Sequence, residues 1–454
     1  MGGQGAYIRI QNKSSRVVKV KLIEGRNIDD RGLDKLSGNL KPGQELPTQG
    51  KKMYGGGSYE YIEGDVKNRL QKDGSFSLEG HPADGTPCSK ISLIVDHDSW
   101  GVQNASVDKK SSILMVADID QDGGGGNFKI EVRIYDSFNP SKWMEEYGEK
   151  HGLGEKPLSK VGLPGTHDSG TYRFEKDKGA SPDSGLTKIE DILDRGSVLG
   201  SLNDMILNTV FERLCRCQTL TIRQQLEKGI RYVDLRVGFH AESGTFLTCH
   251  GVFCVDVQEI LDEIKDFLDE NSKEIVIVEF KKLYGLGEPQ NVTLSKMIFK
   301  TLGDKLAIHG KCPPNAPVQT YWDNGYQAVV LYQDGATVNK SKGRLWPVQE
   351  LDSPWPNVGT TEDLHVALKE KVASRNPKKF FCAQGILTPD ANVIKRELMK
   401  GDGLSIQKLA KQCAGKVVDW VEDDWKPANQ VNIVIVDFSE ITNLVPSVIS
   451  YNHN

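Results

Sequence analysis

Apolar residues follow two different rhythms along this chain. Up to about residue 138 they alternate with polar ones at period two. Ile8 and Ile10 precede the turn Asn12-Lys13-Ser14-Ser15, Val18, Val20 and Leu22 follow it, and Ile130, Val132 and Ile134 repeat the alternation. Successive strand side chains point to opposite faces, so this spacing predicts strands with one buried face. Glycine-rich stretches at 55–57 and 123–126 supply turns. Residues 1–138 are therefore expected to form an antiparallel β-sandwich, a binding or targeting module whose ligand the sequence does not name. The Asn139-Pro140 step ends it, because a residue before proline is steered away from helical backbone.

Beyond residue 155 short apolar runs alternate with helical patterns. Strands are expected at 158–163, 230–237, 245–249, 274–280, 327–332, 344–349, 379–387 and 431–438. Between them, Val257 to Asn271 places Ile260, Leu261, Ile264, Phe267 and Leu268 on one helical face. Eight strands with intervening helices predict an α/β fold, a (β/α)8 barrel of the TIM type over residues 139–454. The connection between the second and third strands is too short for a helix, so the barrel should be distorted. The direction of the third strand is left open by its sequence.

Such a barrel gathers the C-terminal ends of its strands on one face. His167 follows the first strand, Arg236 and His250 stand at the ends of the second and third, Lys281 ends the fourth and Asp437 the last. Two imidazoles and a guanidinium are what metal-free cleavage of a phosphodiester requires. One ring takes a proton, the other delivers one, and the cation holds the charged phosphate.

Composition narrows the setting. With 38% hydrophobic and 26% charged residues, the 454-residue chain has the makeup of a globular protein of two to three domains. A formal charge of −5 gives no support to nucleic-acid binding. The eight cysteines show no C-x-x-C spacing, which favours free thiols and a reducing compartment. No apolar run approaches the ~20 residues of a membrane span, and the first residues lack the basic and apolar regions of a signal peptide. The expectation is a cytoplasmic or peripheral membrane protein, with secretion left open.

Three ordered motifs carry a family resemblance. They are Leu163-Pro164-Gly165-Thr166-His167-Asp168-Ser169-Gly170-Thr171, then Gln225-Leu226 to Gly229-Ile230-Arg231-Tyr232 with Asp234-Leu235-Arg236, then Cys249-His250-Gly251. Together with Trp143-Met144, the segment from Leu345-Trp346-Pro347 to Trp355, and Ile433 to Phe438, they resemble the X domain of phosphatidylinositol-specific phospholipase C. The likeness is to the bacterial-type, metal-independent branch and its eukaryotic X-domain-containing relatives, over roughly residues 143–452.

The resemblance implies roles. His167 would be the general base toward the inositol 2-hydroxyl, and His250 the general acid toward the leaving diacylglycerol oxygen. Asp437 would support His167, and Asp168 would support His250. The products would be diacylglycerol and a cyclic inositol phosphate. In the calcium-dependent branch, Asn stands at the position of Asp168 and Asp at that of Arg236. A guanidinium binds phosphate oxygens bidentately, and Asp234 alone beside it is a poor calcium site, so no metal and no cofactor are expected. Lys281 and Asp234 would line the substrate site, with Lys282 as the alternative to Lys281, and Tyr332 would stack on the inositol ring. The partner is then a phosphatidylinositol-type lipid, with peripheral membrane contact. Two other functions stay open: a non-catalytic inositol-lipid-binding protein, and a metal-dependent glycerophosphodiester or sphingomyelin-type phosphodiesterase.

Some features have plainer readings. Asp118 to Gly123 resembles the start of an EF-hand, but Lys129 stands at its twelfth position, so a glycine-rich hairpin turn is expected. Trp346 and Trp355 are candidates for a membrane-facing rim or for packing over the barrel. The long insertion from Arg173 to Cys217 is a candidate lid beside His167.

Overall fold

The alternating N-terminal segments form strands, and their apolar faces meet. The computed structural model describes residues 5–28, 33–47, 51–53, 57–63, 74–95, 100–107, 110–121, 128–179, 181–183, 213–389 and 405–453. The chain divides into two units, Met1–Phe138 and Asn139–Asn454.

In the first unit, one sheet runs in the order Ile113–Gln121, Phe128–Asp136, Gly5–Asn12, Gly57–Glu63, Lys51–Met53, with Glu45–Leu46 also paired to Gly5–Asn12. A second runs Gly38–Leu40, Val18–Arg26, Gly74–Pro82, Ser89–Val95, Trp100–Val107. Ile8, Ile10, Ile130 and Val132 of the first sheet share one apolar core with Val18, Val20, Leu78 and Ile91 of the second. The expected all-antiparallel pairing has an exception, since Gly5–Asn12 lies parallel to Phe128–Asp136. The long chain between these two strands makes the parallel return possible. Of the EF-hand-like residues, Asp118 to Gln121 lie in the strand Ile113–Gln121, which pairs antiparallel with Phe128–Asp136, and Asp118 is held by Arg133 at 2.5 Å; the rest of that stretch and the expected turn, 122–127, lie outside the described residues.

The second unit is a mixed α/β fold built on a curled sheet. We number its strands β1 (Leu163–Thr166), β2 (Tyr232–His240), β3 (Thr245–Cys249), β4 (Phe253–Asp256), β5 (Val276–Tyr284), β6 (Ala328–Tyr332), β7 (Trp346–Pro347), β8 (Leu351–Asp352), β9 (Phe380–Gln384) and β10 (Ile433–Val436). Its helices include α1 (Trp143–His151), α2 (Ile222–Glu227), α3 (Val257–Glu270) and α4 (Glu288–Leu302). The ladder order is β7-β6-β5-β2-β1-β10-β9-β8, every neighbouring pair parallel.

Three expectations change here. The first strand begins at Leu163, because Leu158–Lys160 is a 3-10 turn. The run 245–249 is not a barrel strand: β3 folds back antiparallel on β2, with Val237 opposite Thr248, and then pairs with β4. The four residues between β2 and β3 allow only this hairpin, since a parallel return needs a crossover of about a dozen residues. Finally, the ladder does not close evenly. Its two ends, β7 and β8, are halves of one segment broken by the turn Val348–Glu350, and among the described residues no ladder joins them. Pro347 at the break has no N–H to donate.

The helix α3 follows the sequence closely. Asp256 caps it by accepting from the Gln258 N–H at 2.7 Å, and Ile260, Leu261, Ile264, Phe267 and Leu268 are all buried. At the other end of the sheet, Arg231 is buried against Glu274 at 2.6 Å, and Glu274 also accepts from the first N–H groups of α1. Thus the first arginine of the Arg231-Tyr232-Val233-Asp234-Leu235-Arg236 run is structural. Among the described residues no helix is long and apolar enough to cross a membrane.

Candidate active site

Parallel register brings the first histidine to its acid. Thr166 of β1 pairs with Val436 of β10, so the next residues, His167 and Asp437, leave the sheet side by side. His167 Nδ1 lies 2.9 Å from Asp437 Oδ1. Arg236 Nη2 lies 3.2 Å from His167 Nε2. A guanidinium can only donate, so Nε2 carries the lone pair and Nδ1 the proton it gives to Asp437. The residues after both partners, Asp168 and Phe438, have positive φ of 39° and 49°. Non-glycine residues adopt this backbone at a cost, and such strain gathers at functional sites.

The rest of the Thr166-His167-Asp168-Ser169-Gly170 motif fixes this turn. Ser169 Oγ accepts from the Asp234 N–H at 2.9 Å, and Gln225 Nε2 donates to the Ser169 carbonyl at 2.9 Å. A side chain at Gly170 would meet Thr248 at 2.7 Å, so glycine lets the turn lie against β3.

That contact matters because β3 delivers His250. Its imidazole Nδ1 donates to the Cys215 carbonyl at 2.8 Å, leaving Nε2 toward Asp168 Oδ2 at 3.7 Å. The two rings are 6.3 Å apart, centre to centre. Asp168 stands between them, 3.3 Å from His167 Nε2 and 3.0 Å from Arg236 Nε. A main-chain carbonyl thus orients the His250 ring, and its Nε2 faces Asp168.

Burial, then the charges of Arg236, Lys281 and His250, hold the His167 imidazole well below the ordinary histidine value. It is neutral at pH 7, the form a general base requires. Burial and the Asp168 charge push the Asp437 carboxyl up. Burial works against the Arg236 cation, but Asp168 and Asp234 outweigh it and raise its pKa.

Lys281, and not Lys282, reaches the site. Its Nζ lies 3.0 Å from Asp234 Oδ2 and 3.3 Å from Gln384 Oε1. The β2–β5 register shifts between Leu235 and Arg236, which pairs Arg236 with Lys282 and leaves Lys281 as the extra residue of a bulge. A bulge of this kind re-aims one side chain. Below it, Glu279 accepts from the Tyr232 hydroxyl at 2.5 Å, and burial with the Asp234 charge pushes its carboxyl up to about 7.

Tyr332 is a correction. Its ring is fully buried and lies 5.6 Å from Phe280, and its hydroxyl donates to Asn291 of α4 at 2.8 Å. It packs between sheet and helix and does not join the two imidazoles. Tyr332→Phe is thus expected to lower unfolding stability by about 1 kcal/mol, the net value of one hydrogen bond. Denaturation measurements on the two proteins check this.

Two further residues stand at the site: Gln384, which the sequence reading does not single out, and Trp355, which it names as a rim or packing candidate. Gln384, buried at the end of β9, donates to Ser353 and Pro354 carbonyls at 3.1 and 3.0 Å and links Lys281 to the loop that carries Trp355. A polar residue ending an apolar barrel strand was the available signal. Trp355, 41% exposed, lies 5.5 Å from His167, ring to ring, whereas Trp346 is buried and donates to the Ala307 carbonyl. Of the candidate lid, residues 180 and 184–212 lie outside the described residues.

A sequence model of the family "Phosphatidylinositol-specific phospholipase C, X domain" matches residues 200–325, a span that holds Arg236, His250 and Lys281. The chain is 30% identical to mouse PI-PLC X domain-containing protein 2 over 309 residues, 66% of this chain and 84% of that protein. It is 27% identical to human PI-PLC X domain-containing protein 3 over 333 residues, 72% of this chain and 95% of that protein. Among solved structures it is similar to a phosphatidylinositol-specific phospholipase C from Listeria monocytogenes, with a TM-score of 0.47 and 17% identity over 69% of this chain and 99% of that one.

Proposed function

From the premise that this chain belongs to the phosphatidylinositol-specific phospholipase C X-domain family, we propose that it cleaves phosphatidylinositol to diacylglycerol and a cyclic inositol phosphate without a metal. The observation that carries this reading is the pair of imidazoles 6.3 Å apart, one backed by Asp437 and the other by the Cys215 carbonyl, with Arg236 beside them. His167 Nε2 takes the proton of the inositol 2-hydroxyl as that oxygen bonds to phosphorus. The bond from phosphorus to the diacylglycerol oxygen breaks, and protonated His250 gives that oxygen its Nε2 proton. Arg236 neutralises the non-bridging phosphate oxygens, where charge accumulates. Lys281 and Asp234 serve the inositol hydroxyls.

Calcium does not fit this set of residues. Asp168 and Asp234 are the carboxylates closest to Arg236 and Lys281, and each already faces one of those cations at 3.0 Å. Calcium takes about six to eight oxygens. His167, Asp168 and Cys217 do offer three donor atoms within 4.8 Å of one another, but they are nitrogen, oxygen and sulfur, a set for a softer ion.

We read the two sheets of the first unit as a β-sandwich module. Trp355, exposed beside His167, supplies a local apolar contact with a membrane surface. The assay is phosphatidylinositol in mixed micelles with excess EDTA, with cyclic inositol phosphate followed by phosphorus NMR. Product is expected. Micelle binding without product would favour an inositol-lipid receptor, and product only after calcium addition would favour a metal-dependent phosphodiesterase.

A further inference from the structure

The second sheet of the first unit carries, on its outer face, a group of side chains that the proposed reaction does not use. In the strand Gly74–Pro82, Leu78, Gly80 and Pro82 face inward and are buried, so Glu79 and His81 share the outward face. Glu79 pairs with Lys90 and Gly80 with Ser89 on the next strand, so the same antiparallel register brings Cys88 opposite His81. His81 Nε2 lies 3.1 Å from Glu79 Oε2. One donor atom from each of Glu79, His81 and Cys88 lies within 4.8 Å of the others. All three are half-buried. Cys88 is the single cysteine of the eight that is not buried.

The turn that presents Cys88 is fixed. Asp84 Oδ1 accepts from the Thr86 N–H at 3.0 Å and its hydroxyl at 2.7 Å, and Arg16 pairs with Asp84 at 2.6 Å. Thr86 Oγ1 in turn meets Ser112 Oγ at 2.8 Å, which ties the turn to a neighbouring strand. A pair of ligands on one strand and a third on a braced turn is a preorganised arrangement.

The donor set selects the ion. Imidazole nitrogen, carboxylate oxygen and thiolate sulfur together suit zinc, whereas calcium and magnesium take oxygen ligands. A thiolate and a carboxylate would cancel the charge of one divalent ion. That balance counts here, because Lys19 and Lys21 stand opposite His81 and Glu79 on the other side, both exposed. Three protein ligands leave a fourth tetrahedral position turned outward.

We propose that Glu79, His81 and Cys88 form a zinc site on the outer face of this sheet, with the fourth position open to water or to an exchangeable donor. Binding deprotonates Cys88, and its proton passes to solvent. The site stands apart from the catalytic reading and does not rest on it.

The test uses the full chain, reduced and freed of metal. Cadmium as a zinc probe should give a thiolate-to-metal ultraviolet band that saturates at one equivalent and is displaced by zinc. Cys88→Ser should abolish it, His81→Ala should weaken binding at least about tenfold, and Cys217→Ser should leave it unchanged. Loss of the band with Cys217→Ser, its survival in Cys88→Ser, or its absence from the unmodified chain would each overturn the proposal. A second measurement needs no variant. Zinc should slow alkylation of Cys88 at least about tenfold, read by peptide mass, and an unchanged rate counts against the site.

Discussion

Replacing His167 with alanine should lower release of cyclic inositol phosphate by at least about 10²-fold, and as much as about 10⁴-fold, in excess EDTA. The size follows from its surroundings. The ring is buried, hydrogen-bonded to Asp437 at 2.9 Å, and approached by Arg236 at its lone-pair nitrogen. Among the described residues, no second imidazole shares that position, since His250 is anchored from the opposite side by Cys215. The loss should fall on kcat, with lipid binding retained, because the ring acts on the proton and not on the headgroup as a whole. Alanine also leaves Asp437 buried without its partner, at a cost of about 1–3 kcal/mol, so folding is checked alongside activity. His167→Gln restores a donor to Asp437 without a usable base. It should regain stability but not turnover. If either variant kept more than about a tenth of the activity, His167 would not be the base.

How much of this was legible in the sequence depends on what each residue needed from its neighbours. His167 and Asp437 were readable because each ends an apolar strand, and parallel register does the rest. His250 follows the run whose direction the sequence leaves open: it arrives through an antiparallel hairpin that returns to the level of Arg236. The choice between Lys281 and Lys282 turned on a bulge, which depends on two strands at once. Tyr332 ends a strand whose five residues are all buried. With apolar neighbours on both faces, period two gives no inside or outside, so the sequence does not say which way the ring points. Gln384 and the Cys215 carbonyl act through chain segments that meet only in the fold, and a main-chain carbonyl leaves no mark on composition. The N-terminal strands show the same division: their alternation was clear, but the parallel pairing of the first strand with the last was not.

Arg236 bears the second large effect, and it can be separated from simple loss of binding. Arg236→Gln removes the cation that answers phosphate charge, and a cost of about 10²–10³-fold in kcat is expected, as for other donors to a developing anion. Its pH dependence should change as well. Burial first, then Arg236, Lys281 and His250, hold His167 below the ordinary histidine value of 6.5. A base must be neutral to act, so activity falls as pH drops through the His167 pKa, and the acid limb of kcat/KM should lie below pH 6.5. Loss of the Arg236 guanidinium removes a neighbouring positive charge that disfavours the imidazolium. The His167 pKa then rises, and the acid limb should move to higher pH. Arg236→Lys keeps a positive charge but not the bidentate fork, so its limb should stay close to that of the unmodified chain while its rate still drops. This pairing discriminates between roles. If Arg236 only braced the fold, both variants would lose rate with no movement of the limb. If a metal carried the phosphate charge, EDTA would abolish the activity of all three proteins alike. A limb that shifts in Arg236→Gln, stays in Arg236→Lys, and is indifferent to EDTA is the signature of a guanidinium acting on a neighbouring base and a bound phosphate together.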